Sequence, residues 1–293
     1  MDRSEPLKAA LWMTGAILSF TALAVAGREA AAELDTFELM FYRSGLGLVI
    51  VVGMIALSGR GFAQLRTAHP RLHGLRNLVH FVGQNAWFYA VAAIPLSQLT
   101  ALEFSYPIWV ALLAPLLLGE RLTRIRALAA LLGFLGVLVV ARPGVAPVEW
   151  GHGAGLLAAL GFALSAIFTR RIMRHDSVPC VLFWMSLTQA VAALALALPG
   201  GIPWPSPAVM GWVVVTAVAG LTAHFSLTSA LSWAPAAVVA PMEFGRLPVI
   251  AVVGMLVYGE PIELAVVLGA LLIVAGNLLN LRDEQRRRRN IAA

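Results

Sequence analysis

The sequence predicts an all-α integral membrane protein of ten transmembrane helices, arranged as two five-helix repeats of inverted topology. Three observations carry that expectation. Hydrophobic residues make up 60% of the 293 and charged residues only 12%, against roughly 25% charged in an ordinary soluble domain. The chain divides into ten apolar runs, most of them near the roughly 20 residues that a spanning helix needs. Finally, part of the chain repeats at an offset of 140 residues.

The runs are 9–27, 37–57, 75–94, 97–118, 125–141, 153–169, 178–198, 208–231, 236–258 and 264–281. The first lies between Lys8 and Arg28, and the second between Asp35 and Arg60. The third follows Arg71 and is separated from the fourth by little more than Pro95. The fourth stops at Gly119-Glu120, and the fifth runs from Arg124 to Arg142. The sixth follows Trp150 and ends at Arg170-Arg171; the seventh starts beside Pro179 and ends at Pro199-Gly200. The eighth follows Pro207, the ninth lies between Pro235 and Gly259-Glu260, and the tenth ends at Arg282. They are apolar all round, unlike the amphipathic helices of soluble proteins. Gly and Pro within them are tolerated because neighbouring helices satisfy freed backbone groups.

The net charge of +6 would suggest nucleic acid in a soluble protein. In a membrane protein the basic residues set orientation instead, so no nucleic-acid partner is expected. Placing both termini in the cytoplasm puts Arg3, Lys8, Arg60, Arg66, Arg71, Arg76, Arg121, Arg124, Arg126, Arg170, Arg171, Arg174, Arg282 and Arg286 to Arg289 on the inner side. Arg28 and Arg142 fall outside, and Arg43 and Arg246 inside the membrane. A multi-pass protein with both termini cytoplasmic is expected, in a bacterial-type inner membrane and with membrane lipids as partners. The single cysteine, Cys180, excludes a disulfide framework.

At the 140-residue offset, 95–138 aligns with 235–278 without a gap. Pro95 matches Pro235, Glu103-Phe104 matches Glu243-Phe244, Gly119-Glu120 matches Gly259-Glu260, and Gly136 matches Gly276. Glu is rare here, so its repetition at one offset marks a duplication. The expected units are a first repeat over 9–141, a second over 153–281 and a basic cytoplasmic tail over 282–293. Five helices per half is an odd number, so the second half must run upside down relative to the first. Such repeats hold substrate near the midplane between the halves and work by alternating access.

Two five-helix halves, Gly-Glu closing the fourth helix of each, Phe41-Tyr42-Arg43 in the second helix and a Gly-rich fifth helix (Gly133, Gly136) resemble the EamA type of the drug/metabolite transporter superfamily. The resemblance covers about 11–281. It implies a secondary transporter, with export of aromatic or neutral amino acids and related small metabolites as the favoured activity. The alternatives are multidrug, nucleoside or organic-cation transport within the superfamily, or a non-transport intramembrane enzyme or structural membrane protein. No cofactor is expected, and the chain should act as a monomer or weak homodimer.

Charged groups within the bilayer are costly and normally face a cavity or a partner. Arg43 and Glu103 lie at matched depth with opposite sign, which predicts a structural ion pair; contact with substrate or a gating role is the other reading. Glu243 and Arg246, three residues apart, share a helix face, with His224 at similar depth. His80, Gln84 and Trp87 continue a polar stripe from Asn77 along the third helix. The repeat maps Gln84 onto His224, Glu103 onto Glu243 and Tyr106 onto Arg246, so both halves send polar groups towards the junction. The expected substrate-binding set is therefore His80, Gln84, Trp87, Glu103, Tyr106, His224, Thr228, Glu243 and Arg246. Pro107, Pro115, Pro241 and Pro248 are expected to kink the fourth and ninth helices. Protease, phosphate-loop and His-Glu-x-x-His patterns are absent, so no enzyme activity is expected. His69 and His73 have metal-ligand spacing, but the intervening Pro70 and a loop setting argue against a metal site.

Overall fold

The computed structural model describes residues 5–59, 61–118, 124–142, 147–234, 239 and 242–292. Its helices are α1 (Pro6–Ala30), α2 (Thr36–Leu57), α3 (Pro70–Ala93), α4 (Leu96–Glu103), α5 (Tyr106–Leu118), α6 (Arg124–Ala141), α7 (Trp150–Ile172), α8 (Val178–Ala197), α9 (Pro207–Trp233), α10 (Arg246–Tyr258) and α11 (Leu264–Ala292), with short 3-10 turns at Phe62–Leu65 and Leu198–Gly200. Among the described residues there is no strand. Among the described residues six helices are long and apolar enough to cross a membrane: α1, α2, α7, α8, α9 and α11. Gly119-Glu120, Pro235 and Pro241 lie outside the described residues.

Local sequence sets the ends. The Asp35 carboxylate accepts from the N–H groups of Phe37 (2.7 Å) and Glu38 (2.8 Å), while Glu38 accepts from Asp35 N–H (2.7 Å), a reciprocal cap that starts α2. The α10 helix stops at Gly259, whose φ of +66° lies in the left-handed region that glycine enters without strain. There Gly259 N–H bonds to Met255 O and Glu260 N–H to Gly254 O, each at 3.1 Å.

Helix association inside a bilayer relies on close van der Waals contact, which favours small residues at crossings. The α1 helix packs along α9, α3 along α7, α2 along α8 and α6 along α11. A Cβ on Gly161 of α7 would come within 2.8 Å of the Gly83 Cα of α3. Where α6 crosses α11, a Cβ on Gly136 would lie 2.6 Å from Gly269 O, and one on Gly276 would lie 2.6 Å from Ala129 O. Adding 140 to 136 and 129 gives 276 and 269. The two contacts are thus one contact seen from either half.

One end of the bundle gathers the α1–α2, α3–α4, α7-leading, α8–α9 and α10–α11 connections. Here Ser206 N–H donates to Glu33 at 2.7 Å, which with the Ser206 hydroxyl holds the Glu33 carboxyl below its ordinary range. Arg142 pairs with Glu263 at this end. The opposite end carries the α2–α3 and α7–α8 connections and the start of α1, where Glu5 N–H bonds to Trp233 O at 2.9 Å.

Candidate functional site

The site begins with a broken helix. Pro107 has no N–H to offer the Glu103 carbonyl four residues earlier and its ring clashes with that carbonyl, so α4 ends at Glu103. Pro248 stands in the same relation to Phe244, and there the chain turns through Phe244-Gly245 before α10 begins. What reads as one continuous fourth run is therefore two helices. The breaks bring Phe104 and Phe244, equivalent under the repeat, edge to face at 5.3 Å. Asn277 of α11 donates to the freed Phe104 carbonyl at 2.8 Å.

Beside this break Glu103 is held twice. Its Oε1 accepts from Arg246 Nη2 at 2.8 Å and its Oε2 from Trp87 Nε1 at 2.9 Å. The Arg246 guanidinium lies over the rings of Phe104 (4.9 Å) and Phe20 (5.0 Å), and Arg246 is 5% exposed. Arg43 donates to Gln84 Oε1 and stands over Phe88 at 5.6 Å. It occupies space left by Gly220, since a Cβ there would lie 3.0 Å from Arg43 Nη2. The expected Arg43–Glu103 ion pair is thus not formed. Equal depth fixes height in the membrane but not the face of each helix, and Glu103 faces α10.

His80 Nδ1 accepts from Gln189 Nε2 at 2.7 Å. His224 is exposed, and its ring is 5.6 Å from Phe20 and within electrostatic reach of Arg43 and Arg76. Tyr106 and Glu243 lie within electrostatic reach of each other and of Glu103 and Arg246. Under the 140-residue offset, Tyr106 with Glu243 is the counterpart of Arg246 with Glu103. The Thr228 hydroxyl, by contrast, is bonded to its own helix at His224 O (2.8 Å).

Comparison with known proteins now adds to this geometry. The model of the EamA-like transporter family matches residues 7–142 and 149–282. The chain belongs to the EamA-like transporter family. It is 28% identical to a riboflavin transporter of Rhizobium johnstonii, covering 100% of this chain and 97% of that one. A riboflavin transporter of Vibrio cholerae shows 27% identity over 99% of each chain, and an S-adenosylmethionine uptake transporter of Rickettsia felis 25% identity over 94% and 92%. A solved crystal structure superposes with a TM-score of 0.63 at 24% identity, covering 95% of this chain and 98% of that one, and shares the fold. An EamA-type protein of the drug/metabolite transporter superfamily with these apolar helices is a multi-pass membrane transporter. None of these relatives is named as an amino acid exporter.

In this EamA chain the four polar positions of the third run reach different elements. Asn77 donates to Trp184 O of α8 at 3.1 Å, His80 meets α8, Gln84 meets α2 and Trp87 meets Glu103 at the end of α4. Sequence reasoning missed Phe20, Phe88, Gln189 and Gly220. Nothing but apolar periodicity marks the first two. The Arg246–Glu103 contact joins the two halves, and the repeat marks both positions without indicating that they pair.

A second cluster closes the Arg28 end. Arg28 pairs with Glu260 and donates to the carbonyls of Val91 (2.6 Å) and Ile94, while Glu260 Oε2 accepts from Leu96 N–H at 2.9 Å. The Glu260 carboxylate occupies the place of a Cβ on Gly254. Tyr258 adds a 2.8 Å bond to Glu29. Glu260→Ala strands a largely buried guanidinium, so a loss of about 3 kcal/mol is expected, read as a lowered unfolding midpoint of the purified protein. An unchanged midpoint would show that the cluster contributes nothing to the fold.

Proposed function

We propose that the protein is a secondary transporter that takes up a neutral, planar, acceptor-rich heteroaromatic metabolite, with riboflavin as the first candidate. The observation that carries this reading is the composition of the central site. Its Arg246–Glu103 charges are already paired, aromatic rings of Phe20, Trp87 and Phe104 lie against them and that of Phe88 against Arg43, and the Nε–H groups of Arg43 and Arg246 are buried with no partner among the described residues. A neutral ring with carbonyl and imine acceptors satisfies those donors and stacks against the rings. A cationic substrate such as S-adenosylmethionine would meet the Arg43 guanidinium, whose partner Gln84 carries no charge, which disfavours it. The names of the Rhizobium and Vibrio relatives support riboflavin, and that of the Rickettsia relative supports uptake.

Alternating access between halves 9–141 and 153–281, inverted across the membrane plane, fits the exchange of the Gly136 and Gly276 contacts between halves. We place both termini in the cytoplasm of an inner-membrane protein because that arrangement gathers nearly all loop Arg and Lys on one side. Reporter fusions after Arg282 and around Val145 are expected to report opposite sides; agreement between them would overturn the ten-helix topology.

A second reading, export of an aromatic or neutral amino acid, is favoured by Glu243, which makes no hydrogen bond or ion pair among the described residues. It leaves a carboxylate for an ammonium group while Arg43 receives a carboxylate. Proteoliposomes containing only the purified protein decide between the readings. Counterflow of labelled riboflavin, not competed by phenylalanine, methionine or threonine, is the expected result. Counterflow of the amino acids without riboflavin would replace the first reading by the second.

A further inference from the structure

We propose that the protein binds a borderline-soft divalent metal ion, of which Zn2+ is the type, at the bundle end opposite Arg28. The ligands are His73, Asp176 and Cys180. Their ligand atoms lie within 4.8 Å of one another, although the residues come from the first turn of α3, the α7–α8 turn and the first turn of α8. A nitrogen, carboxylate oxygen and thiolate are the donors such ions prefer, and three protein ligands plus a fourth position make a usual tetrahedral set.

Burial and hydrogen bonding support a built site. His73 is 2% exposed and Cys180 0%, and His73 Nδ1 is a buried polar atom with no partner among the described residues. The other ring nitrogen, Nε2, is 2.8 Å from Asp176 Oδ2, which also accepts from the Thr67 hydroxyl at 2.6 Å. That hydroxyl in turn accepts from His69 N–H at 2.9 Å. Thr67 thus orients the carboxylate, as outer groups commonly do for metal ligands. Cys180 Sγ is 3.5 Å from Leu65 O. His69, whose ring is 4.5 Å from that of His175, lies within electrostatic reach of Asp176 but outside this ligand set, which leaves the fourth position to water.

Two features that argued against metal in the sequence do not operate in the fold. Pro70 opens α3 as one of its first residues, where its missing N–H costs nothing, and so leaves His73 on the first helical turn. Arg76, the cation one turn along, is committed to Thr169 and Asn77. Binding would displace the Cys180 thiol proton to solvent and place thiolate and carboxylate charges against the ion. Because α3 and α8 supply the ligands, the bound ion would cross-link them.

The test uses tag-free, chelator-stripped protein under reducing conditions, titrated with Co2+ and then Zn2+. One equivalent of Co2+ is expected to bind with thiolate charge-transfer absorption and the visible bands of a four-coordinate site. Zn2+ should displace it and raise the unfolding midpoint by several degrees. Cys180→Ser should remove the charge-transfer band and weaken binding at least tenfold while leaving the metal-free midpoint within a degree of the parent. Asp176→Asn is the second variant and should weaken binding similarly. Absence of saturable binding, or the same spectrum and affinity in Cys180→Ser, would overturn the proposal and leave His73–Asp176 as a hydrogen-bonded fastening between helices.

Discussion

Arg246→Met is expected to destabilise the protein by about 3–5 kcal/mol and to abolish transport. The substitution keeps an unbranched apolar stem in place of the arginine's but leaves Glu103 as a half-satisfied carboxylate, 14% exposed, with Trp87 as its remaining donor. Breaking one side of a buried pair costs that much because the surviving charge is uncompensated. Glu103→Met should act similarly, by stranding Arg246 between Phe20 and Phe104. The double variant Glu103→Met/Arg246→Met removes both charges and should recover most of the unfolding midpoint, since well-packed apolar replacements of a buried pair are often neutral. It should not recover counterflow. Recovery of both would make the pair a packing device only; recovery of neither would mean that the two residues act independently.

The second large effect concerns the α6–α11 crossing. Gly136→Val is expected to leave little monodisperse protein after extraction. A single Cβ at 136 already comes within 2.6 Å of both Gly269 O and Ile273 Cγ1 and 3.0 Å of Ile273 N. Those are mainly backbone atoms of a helix, which move only if the helices separate. Overpacking by small groups costs about 1–3 kcal/mol in well-packed cores, and two further methyl groups add to the alanine cost. Gly269→Val should behave alike, because a Cβ there meets Gly136 O at 2.6 Å. Gly153→Ala is the control: nothing lies within 4 Å of its added Cβ, so its elution profile and midpoint should match the parent. Wild-type behaviour of Gly136→Val would mean that α6 and α11 are not held at this distance in the membrane.

These two cases also show what the sequence makes legible. Long apolar runs between Arg, Gly and Pro clusters give α2, α8 and α9 to within two residues and α1 and α7 to within three at each end, because spanning helices are defined by length and composition. The fourth run reads as continuous because its composition is uniform. Only the relation of Pro107 to the carbonyl of Glu103 marks the break, and Pro in an apolar helix is as compatible with a bend. The candidate site reads in the sequence as a set of residue types, of which the structure joins Trp87, Glu103 and Arg246 directly and sets Gln84 on Arg43 and His80 on Gln189. Pairing within that set was not legible, since depth along a helix carries no information on azimuth. His73, Asp176 and Cys180 illustrate the complementary limit. A hundred residues of intervening chain separate the first from the others, and no local spacing rule links them.

The Arg28–Glu260 cluster has a consequence for how the chain is made. Its two charged members are 232 residues apart, so a ribosome releases Arg28, and the Leu96 N–H that Glu260 also caps, long before the carboxylate exists. Until then the partners available to that guanidinium are the carbonyls of Val91 and Ile94, in its own half of the chain. Emergence of Glu260 lets the final helical hairpin dock onto segments inserted first. The turn at Gly259 carries Glu260 to this contact, so joining the two halves at this end waits on the carboxyl-terminal half of the chain.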